Sequence, residues 1–219
     1  MAKSIKDRLY VTRLKMLQDF RCFKKGFTLD FEAPITILVG ENGCGKSTLI
    51  DLIRNAYKEA GEDDLWMPSN IDGYCRVTGK KLAKGHVRYF DFHRSDMKYS
   101  GMFGDDIQSQ ILAQRASSGQ GAMIQVSSSG VLRAERSLLL LDEVARGYSP
   151  RMQQWVGAMI YAAAEVGANQ VILSTHSEHI MRFPETELDS SASRLYSVEH
   201  RKYMTYQEFI RAHLNKRPK

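Results

Sequence analysis

One eight-residue stretch limits what this chain can fold into more than any other part of it. Residues Gly40–Ser47 read Gly-Glu-Asn-Gly-Cys-Gly-Lys-Ser and fit the pattern G-x-x-x-x-G-K-S/T. The apolar run Ile35–Val39 before it predicts a buried strand, and the apolar spacing in Ser47–Ala60 after it predicts a helix. A glycine-rich loop between a strand and a helix N-terminus turns backbone N–H groups towards phosphate oxygens. The stretch therefore predicts a phosphate-binding loop in an α/β fold.

The side chains of this loop suit a nucleoside triphosphate. Lys46 is expected to reach the β- and γ-phosphates, and the Ser47 hydroxyl is expected to bind Mg²⁺. The other candidate contacts with the nucleotide are Gly40, Asn42, Gly43, Gly45 and Thr48.

A second motif supplies carboxylates. Four leucines, Leu138–Leu141, predict a buried strand, and Asp142 and Glu143 follow it. Ligands of open α/β sheets bind at the carboxyl ends of the strands. Asp142 is placed to hold Mg²⁺ through its water shell, and Glu143 to polarise the attacking water. The two motifs together predict a P-loop ATPase that uses ATP and Mg²⁺.

Strands and helices alternate along the rest of the chain, which implies a parallel sheet. The apolar patterns place a third buried strand at Gln170–Ser174 and a helix at Pro150–Gly167. The polar segment between Gly61 and Lys84 is expected to be irregular or to form short strands. The remaining predicted strands are Leu9–Leu17, Phe27–Phe31, His86–Phe92, Arg194–Val198 and Lys202–Thr205, and the remaining predicted helices are Asp105–Arg115 and Tyr206–Leu214.

The composition is that of a globular protein. Of 219 residues, 43% are hydrophobic and 26% charged, which argues against wholesale disorder. The longest apolar stretch, Val156–Ala164, is too short to cross a bilayer, and the first residues lack the apolar core of a signal peptide. We therefore expect a cytoplasmic protein without membrane insertion. Its widely spaced cysteines, Cys22, Cys44 and Cys75, are expected to be reduced thiols.

Three further elements resemble motifs of the ABC-class ATPases. Residues Ala116–Gln120 resemble the LSGGQ signature, with matches at Ser117, Gly119 and Gln120. Ser174-Thr175-His176 resembles the switch-histidine element. Residues Gly147–Pro150 stand where that class has its D-loop. The resemblance implies that His176 contacts the γ-phosphate.

The N-terminal part resembles one branch of that class. Residues Leu17–Phe23 are similar to the L-x-N-F-(K/R)-x-F stretch of RecF/SMC-type heads. In that branch the sequence before the phosphate loop forms an antiparallel β-lobe over the nucleotide. Arg21 is then either a nucleotide contact or an exposed charge on the lobe. The compact form resembles small ATPases of the AAA_15/AAA_21 kind, some of which accompany phage or defence genes.

The sequence also departs from that branch. Only Asp91–Ala116 lies between the two halves of the predicted head, and it has no heptad repeat, so no coiled coil is expected. The expected position of the Q-loop, after His86–Phe92, holds no glutamine, and Gln108 and Gln110 are candidate substitutes. Val144 replaces the proline that commonly follows the catalytic glutamate.

The resemblance implies an ABC-type head in one domain, 1–219, with an N-terminal antiparallel β-lobe and a small helical insertion. The parts are the β-lobe and first core strand at 1–39, the nucleotide-binding core at 40–90 and 131–190, the insertion at 91–130, and a hairpin, helix and basic tail at 191–219. It further implies that each ATP lies between two copies of the chain, in contact with the loop of one copy and Ser117–Gln120 of the other. Lys46, Glu143 and His176 would be the catalytic residues.

The net charge of +6 permits contact with duplex DNA or with an acidic protein effector. An ATP-gated switch or clamp on one of these partners, in DNA repair or phage defence, is the leading functional prediction. Two alternatives are the nucleotide-binding subunit of an ABC transporter and a non-hydrolysing protein that uses ATP to join two copies. The candidate DNA contacts are Lys3, Lys6, Arg8, Arg211 and Lys216.

Overall fold

The structure is a computed structural model that describes residues 8–57, 71, 73–82, 85–92, 130–186 and 192–214. It contains two sheets with helices packed around them. The strands are β1 Val11–Met16, β2 Thr28–Asp30, β3 Ile35–Val39, β4 Cys75–Gly79, β5 Val87–Asp91, β6 Leu138–Val144, β7 Gln170–Thr175, β8 Ser193–Ser197 and β9 Lys202–Met204. The α-helices are α1 Lys46–Ala56, α2 Pro150–Glu165, α3 Glu178–Thr186 and α4 Tyr206–Leu214, and Val131–Arg133 forms a 3₁₀ turn.

The larger sheet has six strands in the order β5-β6-β7-β3-β8-β9. All neighbouring pairs are parallel except β8 and β9, which form an antiparallel hairpin. Because β7 lies between β3 and β6, the phosphate loop, the acidic pair and the switch histidine all follow adjacent strands. Their carboxyl ends meet at one edge of the sheet.

The two faces of this sheet are covered by different layers. Alternate residues of the central strands join two separate apolar clusters, as Leu139 and Leu140 of β6 illustrate. The first cluster also contains the buried face of α2, including Val156 and Ile160. The second contains the buried face of α1 and the inner face of the smaller sheet. Strands buried on both faces need continuous apolar sequence, which is why β3, β6 and β7 were readable as runs.

The smaller sheet is the antiparallel lobe, with strand order β2-β1-β4. Val11, Leu14 and Met16 of β1 point into the second cluster, while the residues between them are exposed. This alternation is typical of a sheet that packs on one side and faces water on the other. The Gln170 side chain joins the lobe to the main sheet, since its Oε1 accepts hydrogen bonds from the backbone N–H groups of Tyr10 and Val11, both 2.7 Å long.

The predicted antiparallel lobe, parallel core, hairpin and α4 are confirmed. Several strand boundaries differ by one or two residues. In addition, α1 ends at Ala56, α2 ends at Glu165 before Gly167, and β6 continues through the acidic pair to Val144. The polar segment between Gly61 and Lys84 contains β4, which pairs with β1. The predicted helix Asp105–Arg115 and most of the predicted insertion lie outside the described residues.

Candidate functional site

The loop between β3 and α1 depends on glycine conformations. Gly43 and Gly45 have φ angles of +79° and +110°, which side chains other than glycine rarely adopt. A Cβ atom at Gly45 would also overlap Cys22 Sγ and lie 2.7 Å from the Phe23 ring. The lobe therefore packs directly against the phosphate loop, and the close approach requires glycine there.

Lys46 is buried and lies over the loop that precedes it. Its Nζ donates hydrogen bonds to the carbonyl oxygens of Gly40 and Glu41, at 2.9 and 3.0 Å. These bonds hold the ammonium group at the mouth of the loop. The same charge acts on His176 and helps to lower the pKa of its imidazole.

Arg21 belongs to the lobe but contacts the nucleotide-binding helix. Its Nη1 donates a 3.2 Å hydrogen bond to Thr48 Oγ1 in the first turn of α1. The Cys22 thiol, next in sequence, donates to the carbonyl oxygen of Cys44 at 3.3 Å. Arg21 is thus an exposed residue that lies beside the phosphate loop, and its contact with a nucleotide stays a prediction.

Asp142 is buried at the carboxyl end of the acidic strand. Its Oδ1 accepts hydrogen bonds from Ser174 Oγ on β7 and from the backbone N–H of Glu143. Burial raises the pKa of this carboxyl, while the nearby hydroxyls of Ser174 and Ser47 counteract the rise. The two predicted Mg²⁺ ligands, Ser47 and Asp142, therefore lie near each other.

Glu143 has an unusual backbone. Its φ angle is +54°, and the pairing of β6 with β7 shifts register between Leu141 and Val144. The irregularity turns a largely buried carboxylate towards the Arg146 guanidinium and the His176 imidazole. Arg146 Nη1 donates to Glu143 Oε2 at 3.3 Å, and His176 Nε2 lies 3.8 Å from Glu143 Oε1.

His176 is positioned by the end of β7. Thr175 Oγ1 donates to the carbonyl oxygen of Val144 at 2.8 Å and accepts from the backbone N–H of Ser177 at 2.9 Å. These bonds fix the chain on both sides of the histidine. Burial, followed by the charge of Lys46, lowers the pKa of His176, so a neutral imidazole is favoured near pH 7.

A cleft of about 290 Å³ opens at this edge. It connects the phosphate loop with the acidic strand and the switch element. Its lining includes Asn42, Glu143, Arg146, Gly147, His176 and Ser177.

The structure brings most of the predicted site residues together. Ser117, Gly119 and Gln120, together with Gln108 and Gln110, lie outside the described residues. Sequence reasoning gave no role to Arg146 or to the Ser174 hydroxyl. The signal for Arg146 was a cation three residues after the candidate catalytic glutamate, and the signal for Ser174 was a polar residue in a buried strand.

Two family models match the halves of this arrangement. Residues 16–64 match AAA_23, described as "AAA domain", and residues 78–182 match AAA_21, described as "AAA domain, putative AbiEii toxin, Type IV TA system". The chromosome partition protein Smc of Rhodopseudomonas palustris is 26% identical over 159 residues, which are 71% of this chain and 14% of Smc. Together these matches support a P-loop ATPase of the RecF/SMC-like type.

The chain is also similar to a transporter protein and to a solved SMC head domain. The cobalt import ATP-binding protein CbiO of Salmonella paratyphi A is 29% identical over 181 residues, covering 69% of this chain and 65% of CbiO. The SMC head domain from Thermotoga maritima has the same fold, with a TM-score of 0.52, 14% identity, and coverage of 86% of this chain and 94% of that one. The chain thus spans less than two thirds of the length of either curated relative. Among the described residues, no helix combines the length and the apolarity needed to cross a membrane.

Proposed function

We propose that this chain binds and hydrolyses ATP at the carboxyl edge of its six-stranded sheet. The observation that carries the proposal is the meeting of Lys46, Ser47, Asp142, Glu143 and His176 at the ends of three adjacent parallel strands. Each side chain has the chemistry that phosphoryl transfer needs: a cation, a hydroxyl, two carboxylates and an imidazole.

The site fits ATP and Mg²⁺. The glycine conformations at Gly43 and Gly45 expose backbone N–H groups at the start of α1, where the helix dipole also favours phosphate. Ser47 would bind Mg²⁺ directly, and Asp142 would hold it through water. Bound Mg²⁺ supplies positive charge that neutralises the phosphate oxygens.

The catalytic roles follow from the contacts. Lys46 would exchange the carbonyl oxygens of Gly40 and Glu41 for phosphate oxygens, which are stronger acceptors. Glu143 would accept a proton from the attacking water, and its contacts with Arg146 and His176 would keep the carboxylate oriented. A neutral His176 can donate one hydrogen bond to the γ-phosphate.

The second half of each site is proposed to come from a second copy of the chain. Ser117, Gly119 and Gln120 of that copy would bind the γ-phosphate, as the resemblance to the LSGGQ signature implies. ATP would then join two copies head to head, and hydrolysis would release them. Such a cycle is a switch that can act on DNA or on a protein effector, in DNA repair or phage defence. We place it in the cytoplasm, where thiols such as those of Cys22, Cys44 and Cys75 remain reduced.

Mixing two inactive variants tests the shared site. Ser117→Arg should fold and bind ATP but neither dimerise nor hydrolyse, and Lys46→Ala should not bind ATP. A mixed dimer pairs one intact loop with one intact signature, so the mixture should recover activity at one of its two sites. If pure Ser117→Arg hydrolyses ATP at the parent rate, the signature is not shared between copies.

The exposed basic residues of the lobe favour an anionic partner such as duplex DNA. Lys15 on β1 lies directly opposite Arg76 on β4, and both are exposed. Like charges at paired positions repel, so a polyanion bound there would relieve the repulsion. Lys25 and Lys81 add exposed charge near the ends of the lobe strands.

This surface changes which DNA contacts we propose. Arg8 is held in a 2.8 Å ion pair with Glu165, so its charge is partly neutralised, and Lys3, Lys6 and Lys216 lie outside the described residues. Binding should weaken steeply with salt and strengthen with ATP, because two copies present twice the basic surface. Fluorescence anisotropy of labelled duplex, with Lys15→Glu as the variant, measures this. No binding at low salt, with or without ATP, would leave the protein effector as the partner.

The similarity to CbiO favours a second candidate function, the ATP-binding subunit of a transporter. Co-purification from membranes with one specific integral membrane protein would support it. ATP turnover by the purified protein separates either function from that of a non-hydrolysing protein that uses ATP only to join two copies.

A further inference from the structure

A cluster of metal-ligating side chains lies on the far side of the phosphate loop from Glu143. It consists of Glu41 in the loop, Glu199 after β8 and His213 on α4. One potential ligand atom from each residue lies within 4.8 Å of the other two. These three residues, which we call the Glu-Glu-His cluster, come from three separate segments of the chain.

The cluster is held by contacts of its own. Glu199 Oε1 accepts a 3.0 Å hydrogen bond from the backbone N–H of Glu41, and Glu199 Oε2 lies 3.8 Å from His213 Nε2. The His213 ring packs on Phe209, with 4.2 Å between ring centroids. The side chains of Glu199 and His213 are only 15% and 25% exposed.

The two ring nitrogens of His213 have different surroundings. Nδ1 is buried and makes no hydrogen bond within the described part of the chain, whereas Nε2 faces the carboxylates. The ring therefore offers one nitrogen for a ligand, and that nitrogen points into the cluster. Two carboxylates that share a small space repel each other, and a dication would remove this repulsion.

We propose that the Glu-Glu-His cluster binds a divalent transition-metal ion, with Zn²⁺ as the representative ion. One imidazole nitrogen and two carboxylate oxygens are a common zinc ligand set, and the imidazole disfavours Mg²⁺ and Ca²⁺. Tetrahedral zinc with bonds of about 2.1 Å separates its ligand atoms by about 3.4 Å. The 3.8 Å gap between Glu199 and His213 needs only a small closure to match.

The bound ion would tie the phosphate loop to α4. Glu41 is the second residue of the loop, and the Glu199 side chain also lies against the loop, since a Cβ atom at Gly40 would come within 3.3 Å of Glu199 Cγ. The proposal does not rest on ATP hydrolysis, because it concerns residues outside the catalytic edge. It can be tested with nucleotide-free protein.

The test is a zinc titration of the full chain against a chromophoric chelator, in a reducing agent that does not bind metal. We expect one zinc per chain and a zinc-dependent rise in Tm. His213→Ala should weaken zinc binding about 100-fold or more, and Glu199→Gln, whose amide oxygen can still accept from Glu41, should do the same. His86→Ala is the matched control, because His86 lies beside Arg136 at the amino end of β5, away from the carboxyl ends of β3 and β8 where the cluster lies.

The cysteines need a separate control, because thiolates also bind zinc. Cys44 is close to the cluster, since its Sγ lies 2.7 Å from the Cβ position at Gly40. Co²⁺ bound by the Glu-Glu-His cluster should give no sulfur-to-cobalt charge-transfer band, and Cys44→Ser should bind zinc as the parent does. The proposal would be overturned if the single variants His213→Ala and Glu41→Gln both bound zinc as tightly as the parent does. It would also be overturned if Cys44→Ser lost zinc binding while the other variants kept it.

Discussion

The carboxyl edge of the six-stranded sheet and the antiparallel lobe meet the phosphate loop in different ways. At the edge, buried groups on the neighbouring strands β6 and β7 share hydrogen bonds, as Asp142 and Ser174 do. The lobe reaches the loop and α1 through the exposed side chains of Arg21 and Cys22 and the buried ring of Phe23. Changes at the edge therefore affect a preorganised network, whereas changes at Arg21 or Cys22 affect exposed contacts that water can partly replace.

Because their contacts differ in burial, the carboxyl edge and the lobe are expected to have different roles in the proposed reaction. Buried polar groups in low dielectric interact strongly and cost much when a partner is lost. Solvent-exposed contacts are worth much less. We therefore expect edge residues to decide whether ATP is bound and hydrolysed, and lobe residues to adjust affinity.

The largest expected effect is at Lys46. Lys46→Ala removes a buried ammonium group that faces the proposed phosphates, so ATP affinity should fall about 100-fold or more. Calorimetry measures it, with Lys24→Ala on the lobe as the control, since Lys24 is exposed and pairs with the exposed Asp19. If Lys46→Ala and Lys24→Ala both bound ATP as tightly as the parent does, the carboxyl edge and the lobe would not differ in their importance for ATP binding.

A smaller effect is expected at Arg21. Arg21→Ala breaks the hydrogen bond to Thr48 and should weaken ATP binding by roughly 3- to 10-fold without changing turnover at saturating ATP. Arg13→Ala is the matched control, because Arg13 is exposed on the same lobe and pairs with Asp30. A large loss of turnover in Arg21→Ala would mean that the lobe takes part in the chemistry.

The smallest effect concerns stability. The pKa of Asp142 is raised in the folded chain, so the folded state binds this proton more tightly than the unfolded state does. Ionisation of Asp142 therefore costs stability at neutral pH, and the cost disappears as the pH falls below the unfolded pKa. Asp142→Asn keeps an acceptor for Ser174, so it should raise Tm by a few degrees at pH 7 while reducing Mg²⁺-dependent turnover.

Thermal unfolding at pH 7 and near pH 4 checks the stability prediction. The stabilisation by Asp142→Asn should shrink at the lower pH, where Asp142 itself becomes protonated. Asp30→Asn, at an exposed position, is the control and should not raise Tm. A lower Tm for Asp142→Asn at pH 7 would show that the buried charge is stabilising.

The sequence predicted the main sheet better than the lobe, for a physical reason. Strands β3 and β7 are buried on both faces, so most of their residues are apolar and form a short run that the sequence shows. In strand β4 only Cys75 is buried, so the strand has no apolar run. Its pairing with β1 therefore could not be predicted from the sequence. The end of α1 was also missed, because the last predicted residues have helical composition but the helix closes at Tyr57.

The candidate site divides in the same way. The motif residues were predictable because phosphate chemistry requires particular residue types at particular spacings. The contacts of Glu143 with Arg146 and His176 were not, because they depend on a positive φ angle and a register shift in β6. Those features come from tertiary packing.

Glu143→Gln tests whether the carboxyl edge of the six-stranded sheet hydrolyses ATP. The change keeps the shape of the side chain and removes the carboxylate that would accept the proton from water. At saturating ATP and Mg²⁺, we predict that phosphate release falls about 100- to 10,000-fold. ATP should still bind, and size-exclusion chromatography should show an ATP-dependent dimer. Glu178→Gln, at an exposed position that pairs with Arg182, should behave as the parent does. Parent-rate hydrolysis by Glu143→Gln would contradict the account.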